Sequence, residues 1–175
     1  MSKTASILRL FPHAVWGNRT DSASFIEKQF LKNGKKIDKE AIGFVLDWTR
    51  IHTFYTQSLC NMIFSMTEDV AVDIKIAKEA CLELMKRNEP IFSQYKELLS
   101  ASQWRYLIAV AKENMVEQPS AKSFLMKYKI GTPTDSQRLK QLLLDKDLIL
   151  ETITKEKTFY QVADVFFSRW LEREF

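Results

Sequence analysis

Few residues in this sequence could carry covalent chemistry, and their spacing does not assemble them. A phosphate-binding loop needs clustered glycines so that backbone N–H groups converge, followed by Lys and Ser or Thr. Here Gly17, Gly34, Gly43 and Gly131 stand singly. The GxSxG elbow of hydrolases and the GxGxxG dinucleotide fingerprint are also absent. There are two histidines, His13 and His52, and two cysteines, Cys60 and Cys81. Without CxxC spacing they form no zinc signature. They read as packed imidazoles and as buried free thiols of a reducing cytoplasm. The chain alone is therefore expected to be no enzyme, with no catalytic residue, metal or cofactor.

The residues best suited to chemistry are those that bind. Gly131-Thr132-Pro133-Thr134-Asp135 is a helix-start signal, with Thr132 as N-cap, Pro133 at the first position and Asp135 as capping partner. The helix it starts carries Leu139, Leu142 and Leu143 inward. Its outward residues are read as Thr134, Ser136, Gln137, Arg138, Lys140 and Gln141. Such side chains reach base edges or phosphates when a helix lies in a major groove. Downstream, Lys155 and Lys157 lie at a hairpin tip and could meet a phosphate backbone. A solvated helix face that binds protein, or nothing, has the same composition. Asp135 stabilises the helix start through the dipole but repels phosphate.

The elements that position these residues follow from periodicity. Ser100 and Gln103 have capping-box spacing before an amphipathic helix with Trp104, Leu107, Ile108 and Ala111 inward. Pro119 is expected to open a second helix with Phe124, Leu125 and Tyr128 inward. After the third helix come two β-prone runs, Leu148–Ile153 and Thr158–Val162, joined by the polar stretch Thr154–Lys157. A closing helix over Val165–Glu174 presents Phe166, Phe167, Trp170 and Leu171. This order predicts a winged helix-turn-helix with a two-stranded wing over residues 100–175.

Upstream, residues 21–99 predict a small helical bundle. Asp21 is placed as the cap of a helix with Phe25, Ile26, Phe30 and Leu31 on one stripe. A second helix after Asp38 has Ile42, Val45, Leu46 and Thr49 inside. A third, near His52 or Thr53, is apolar on most sides and therefore expected to be central. A fourth follows Asp73, and Pro90 is expected to interrupt it. Residues 1–20 read as an irregular arm whose Leu8, Leu10, Phe11 and Trp16 could mediate self-association.

Bulk properties fit a mainly α, globular chain. Of 175 residues, 46% are hydrophobic and 27% charged, with four Gly and four Pro. The net charge is +4, too small to imply nucleic acid by itself. Residues 1–99 hold 14 Lys or Arg against 12 Asp or Glu, and residues 100–175 hold 12 against 10. Charge is thus not concentrated in the winged half. No apolar run of about 18 residues predicts a membrane span, and no secretory leader is recognised, so a cytoplasmic location is expected.

Several segments, in order and at matching spacing, resemble a family of prokaryotic AAA-type ATPases in the STAND-like P-loop group. They are Phe25-Ile26-Glu27-Lys28-Gln29-Phe30, Gly34-Lys35-Lys36-Ile37, His52-Thr53-Phe54-Tyr55-Thr56-Gln57-Ser58-Leu59-Cys60 and Leu99-Ser100-Ala101-Ser102-Gln103-Trp104. Gln137-Arg138-Leu139 and Asp164-Val165-Phe166-Phe167-Ser168-Arg169-Trp170-Leu171 complete the set. The resemblance spans roughly residues 10–175. It implies a helical lid followed by a winged helix, and makes His52 the nucleotide-proximal lid residue. Family members carry His-Pro or Asn-Pro where this chain has His52-Thr53. The P-loop core of the family is not in this sequence, so ATP enters only if a P-loop domain is supplied elsewhere. The expected function is a non-catalytic regulatory module, the C-terminal half of an ATPase-like protein, engaging DNA or a protein. The alternatives are a stand-alone DNA-binding transcriptional regulator and a structural protein-interaction module.

Overall fold

The computed structural model describes residues 18–67 and 71–175. The predicted arm residues Leu8, Leu10, Phe11 and Trp16, and also His13, lie outside them. The chain divides into two compact units, Met1–Arg87 and Asn88–Phe175.

In the first unit, α1 (Arg19–Lys32) starts two residues before the predicted Asp21. Asn18 is the cap, accepting from the Asp21 backbone N–H at 3.0 Å. Its buried stripe is Ser22, Ile26 and Phe30, at i, i+4 and i+8. Leu31, predicted on that stripe, is exposed and Phe25 half-buried. Helix α2 (Lys39–Trp48) buries Ala41, Ile42, Val45 and Leu46 against α1 and against α3 (Thr53–Met66). Helix α3 buries Leu59, Cys60, Met62 and Ile63, but Phe54 is 59% exposed and Met66 42%. It is therefore open on one side rather than enclosed as predicted.

Two contacts define how α3 begins and ends. At its start, Thr49 and Thr56, both buried, share a hydroxyl hydrogen bond of 2.7 Å. Between α2 and α3, Arg50 and Ile51 both adopt left-handed backbone, with φ of 54° and 57°. That region disfavours side-chain-bearing residues, β-branched ones most. At the end of α3, the Lys35 ammonium donates to the Phe64 carbonyl at 2.7 Å and to the Thr67 carbonyl, and lies 3.8 Å from the Phe64 ring centroid. It thus closes carbonyls that a helix end leaves unpaired.

Helix α4 (Ile74–Leu98) corrects the prediction of a break, because it runs without interruption through Pro90. Proline removes one N–H and crowds the preceding turn, but a long helix bonded on both sides absorbs that loss. Asp73 accepts from the Ile76 N–H at 2.9 Å at its start.

In the second unit, α5 (Ala101–Glu113) begins with the predicted Ser100–Gln103 capping box. Its buried Trp104, Tyr106, Leu107, Val110 and Ala111 make it the central element. It packs on α6 (Lys122–Tyr128), α7 (Pro133–Leu144), β2 (Thr158–Val162) and α8 (Val165–Glu174). Pro119 does not open α6; it sits in a turn, and Ala121 takes the N-cap position. Strand β1 (Ile149–Ile153) pairs antiparallel with β2 in the register Ile149↔Val162 to Ile153↔Thr158. A single bridge adds Val116 to β2, with reciprocal 2.9 Å bonds to Tyr160. No helix of the described residues is long and apolar enough to cross a membrane.

The second core is aromatic. Phe167 stacks on Phe92 at 5.1 Å and lies 5.0 Å from Tyr95, 6.1 Å from Trp104 and 6.1 Å from Trp170 between ring centroids. Such pairs add to simple area burial. Phe167→Ala is expected to lower unfolding free energy by about 3–5 kcal/mol in urea titration. Lys35→Met, which removes the ammonium donor to the Phe64 and Thr67 carbonyls, is expected to cost about 1–3 kcal/mol by the same measurement.

Candidate interaction surface of the winged unit

The third helix is held in place by its own first turn. Thr132 Oγ1 accepts from the Asp135 N–H at 3.2 Å, and Asp135 Oδ2 accepts from the Thr132 N–H and hydroxyl, each at 2.8 Å. The Thr132 hydrogen bonds hold the Asp135 carboxyl below its ordinary range. Gly131 leaves room beside it: a Cβ there would lie 2.6 Å from Asp135 Oδ2, so the capping carboxylate would have to shift.

Of the predicted outward residues, Thr134, Gln137, Arg138 and Gln141 are exposed and Lys140 is half-buried. Ser136 corrects the prediction. It is fully buried, with Oγ donating to the Pro119 carbonyl at 2.6 Å and lying 3.5 Å from the Tyr106 hydroxyl oxygen. It joins Leu139 and Leu143 on the inner face, at i, i+3 and i+7. Serine's small polar side chain reads as surface, and only the tertiary partners show otherwise.

The remaining polar groups are partly committed to neighbours. Gln137 Nε2 donates to Ser120 Oγ at 2.9 Å, and Gln141 Nε2 to Asp145 Oδ1 at 2.8 Å. Lys140 Nζ donates to the Tyr160 hydroxyl at 3.2 Å and lies 4.6 Å from that ring's centroid. The Tyr160 hydroxyl in turn donates to Glu151 at 2.6 Å. Burial, then this carboxylate, pushes the phenol up to about 12. On the wing, Lys157 pairs with Glu117 at 3.0 Å, whereas Lys155 is exposed. Arg138 makes no direct ion pair among the described residues, although Asp135 acts on it through space.

A second polar cluster, missed from sequence because its members are far apart, fastens α6 to α5. Glu113 accepts from Lys127 and from the Tyr128 hydroxyl, each at 2.6 Å. These two bonds, Lys127 first, lower the Glu113 carboxyl. Arg105 reaches the turn after α6, donating to the Lys129 carbonyl at 3.4 Å.

His52, the lid residue implied by resemblance, lies in the first unit. It occupies the N-cap position of α3, is exposed, makes no side-chain cap bond, and its ring sits 4.8 Å from Tyr55.

Three helices, a two-stranded wing and a closing helix define a winged helix-turn-helix. A family model described as a probable winged helix domain matches residues 90–173. No curated protein matches the sequence. Among solved structures, the chain is similar to a Walker-type ATPase of Pyrococcus abyssi, with a TM-score of 0.62 and 14% sequence identity. The match covers 89% of this chain and 42% of that one. At that identity the likeness is one of fold, and the chain spans less than half the length of the ATPase.

Ser136→Ala is expected to cost about 1–3 kcal/mol, because it strands the Pro119 carbonyl. Gln137→Ala, one residue along on the surface, is expected to change stability by under about 0.5 kcal/mol. Parallel urea titrations distinguish a buried from a displayed residue. Glu113 gives a pH test. Its carboxyl lies lower folded than its ordinary 4.5. The stabilisation it brings is therefore present above that value and lost as pH falls through the folded value. In melts from neutral to acid pH, Glu113→Gln should abolish this part of the acid loss.

Proposed function

We propose that the chain is a non-catalytic regulatory module corresponding to the lid and output part of an ATPase-like protein. In this reading its winged helix engages a protein more readily than duplex DNA. The observation that carries the choice of partner is that most polar groups of the predicted recognition surface are already engaged by neighbours within the chain. Lys140 is shared with Tyr160 and Lys157 with Glu117. Asp135 and Asp145 flank the helix ends. Arg138 and Lys155 are left as the displayed cations, whereas affinity for duplex DNA grows with the number of phosphates neutralised.

Support for the ATPase connection is the shared fold with the Walker-type ATPase and the ordered segments around His52. The residues present do not fit ATP by themselves. His52 offers one exposed imidazole, and the sequence supplies no glycine-rich phosphate cradle. No hydrolytic step is assigned to this chain. With a P-loop core supplied, the resemblance makes His52 the nucleotide-proximal lid residue, and the winged unit is the output.

A second reading, duplex binding, draws on Arg138, Thr134, Gln137 and Gln141, all exposed on α7. Fluorescence anisotropy with a labelled mixed-sequence duplex at low salt separates the two. The favoured outcome is binding weaker than about 10⁻⁴ M, below ordinary non-specific affinity. Micromolar binding lost on Arg138→Ala would instead establish the DNA reading. The purified chain is also expected to hydrolyse no ATP, and steady turnover would overturn the regulatory assignment.

A further inference from the structure

Besides Arg138 on α7 and Lys155 on the wing, the winged unit displays cations without an ion pair around the outer face of α5. Arg105, Ile108 and Lys112 stand at i, i+3 and i+7 and so share one side of the helix. Two clefts of about 750 and 520 Å³ open there, and both are lined by Arg105, Ile108 and Phe175. Lys112 and Lys129 rim the larger and Lys96 the smaller. Lys96, Lys112 and Lys129 are exposed and form no ion pair among the described residues. The carboxylate in the wall, Glu172, is already held by Arg169 at 2.8 Å and Ser168 at 3.2 Å. Lys127, the remaining cation there, is held by Glu113.

We propose that this face of α5 docks an acidic peptide segment of a partner protein, with an apolar side chain seated over Ile108 and Phe175 and carboxylates on the surrounding Lys and Arg side chains. Charge complementarity selects an acidic partner. The apolar floor between the cations selects a peptide: alternating acidic and apolar side chains match it, whereas a phosphate backbone is charged along its whole track. Both clefts are shallow and open to solvent, a shape suited to an extended segment lying across the face.

Lys129 adds an independent observation. It ends α6 in left-handed backbone, φ 51°, where glycine is the stable choice. A lysine there displays a cation on this face at the expense of stability. The proposal goes beyond the assignment of a protein-binding output by placing the contact on α5 rather than on α7 and the wing.

The test uses the full chain and a fluorescein-labelled peptide of about twelve residues, rich in Glu and Asp and interrupted by Leu and Phe. Binding is expected at low salt and should weaken as salt rises. Arg105→Glu with Lys112→Glu should reduce affinity at least about tenfold, the scale of two lost charge contacts. Lys112→Glu alone, at a side chain that bonds nothing, should also weaken it and guards against a folding defect. Lys129→Gly should melt at higher temperature yet bind less tightly, a split that a purely structural role would not produce. Lys155→Glu with Lys157→Glu should leave binding unchanged. Absence of binding, equal affinity in the α5 variants, loss only in the wing variants, or tighter binding of an oligothymidylate to the same face would overturn the proposal. The duplex titration and ATP assay use other ligands, so their outcomes stand or fall separately.

Discussion

The winged unit depends on the burial of one side chain. Phe167, 1% exposed, touches rings contributed by α4, α5 and its own helix α8. It is the point where the helix preceding the winged segment and the helix closing it meet the central α5. Aromatic rings supply large apolar areas with few torsions to freeze, which suits a unit of fewer than ninety residues whose remaining core is mostly aliphatic. Trp104 and Trp170 enclose the same cluster and are themselves flanked by Phe175. With α5 fixed in this way, α6, α7 and the hairpin have a common surface to pack on.

A distinction follows between how the recognition helix is held and what it shows. Its first turn is closed on itself by Thr132 and Asp135, and its inner face is tied by Ser136 to the Pro119 turn. These bonds fix the helix whether or not anything binds. Lysines with suitable reach are engaged by neighbours, Lys140 on that helix by the Tyr160 hydroxyl and Lys157 on the wing by Glu117. On α5 the balance differs: Glu172 and Glu113 are held by Arg169 and Lys127, whereas Lys96, Lys112 and Lys129 make no ion pair among the described residues. Local neutralisation, rather than total charge, decides which face attracts an acidic partner.

The element order of the winged unit was legible because its signals are local. The Ser100–Gln103 and Thr132–Asp135 boxes act within four residues, and both form as predicted. The hairpin follows from β-prone runs around a polar turn. What was not legible depends on tertiary partners. Ser136 looks like any exposed polar residue until the Pro119 carbonyl is brought beside it. The Val116 bridge has no strand-length pattern, because one residue pairs. Pro90 reads as a helix breaker, yet α4 passes through it. Glu113 and Tyr128 are fifteen residues apart, beyond any helical spacing. The displayed α7 residues could be named from sequence, but their engagement by neighbours could not, and the basic α5 face emerged only when Lys96, Lys112 and Lys129 were placed around one floor.

The turn before α3 has a mechanical consequence. Arg50 and Ile51 hold left-handed backbone, a state that costs side-chain-bearing residues on the order of 1–3 kcal/mol each. The backbone bond from the Ile51 N–H to the Leu46 carbonyl, 2.9 Å, and the buried Thr49–Thr56 contact keep it closed. The start of α3, where His52 stands, is therefore a turn whose unfavourable backbone is offset by local hydrogen bonds, so that loosening either bond would lower the cost of leaving this conformation.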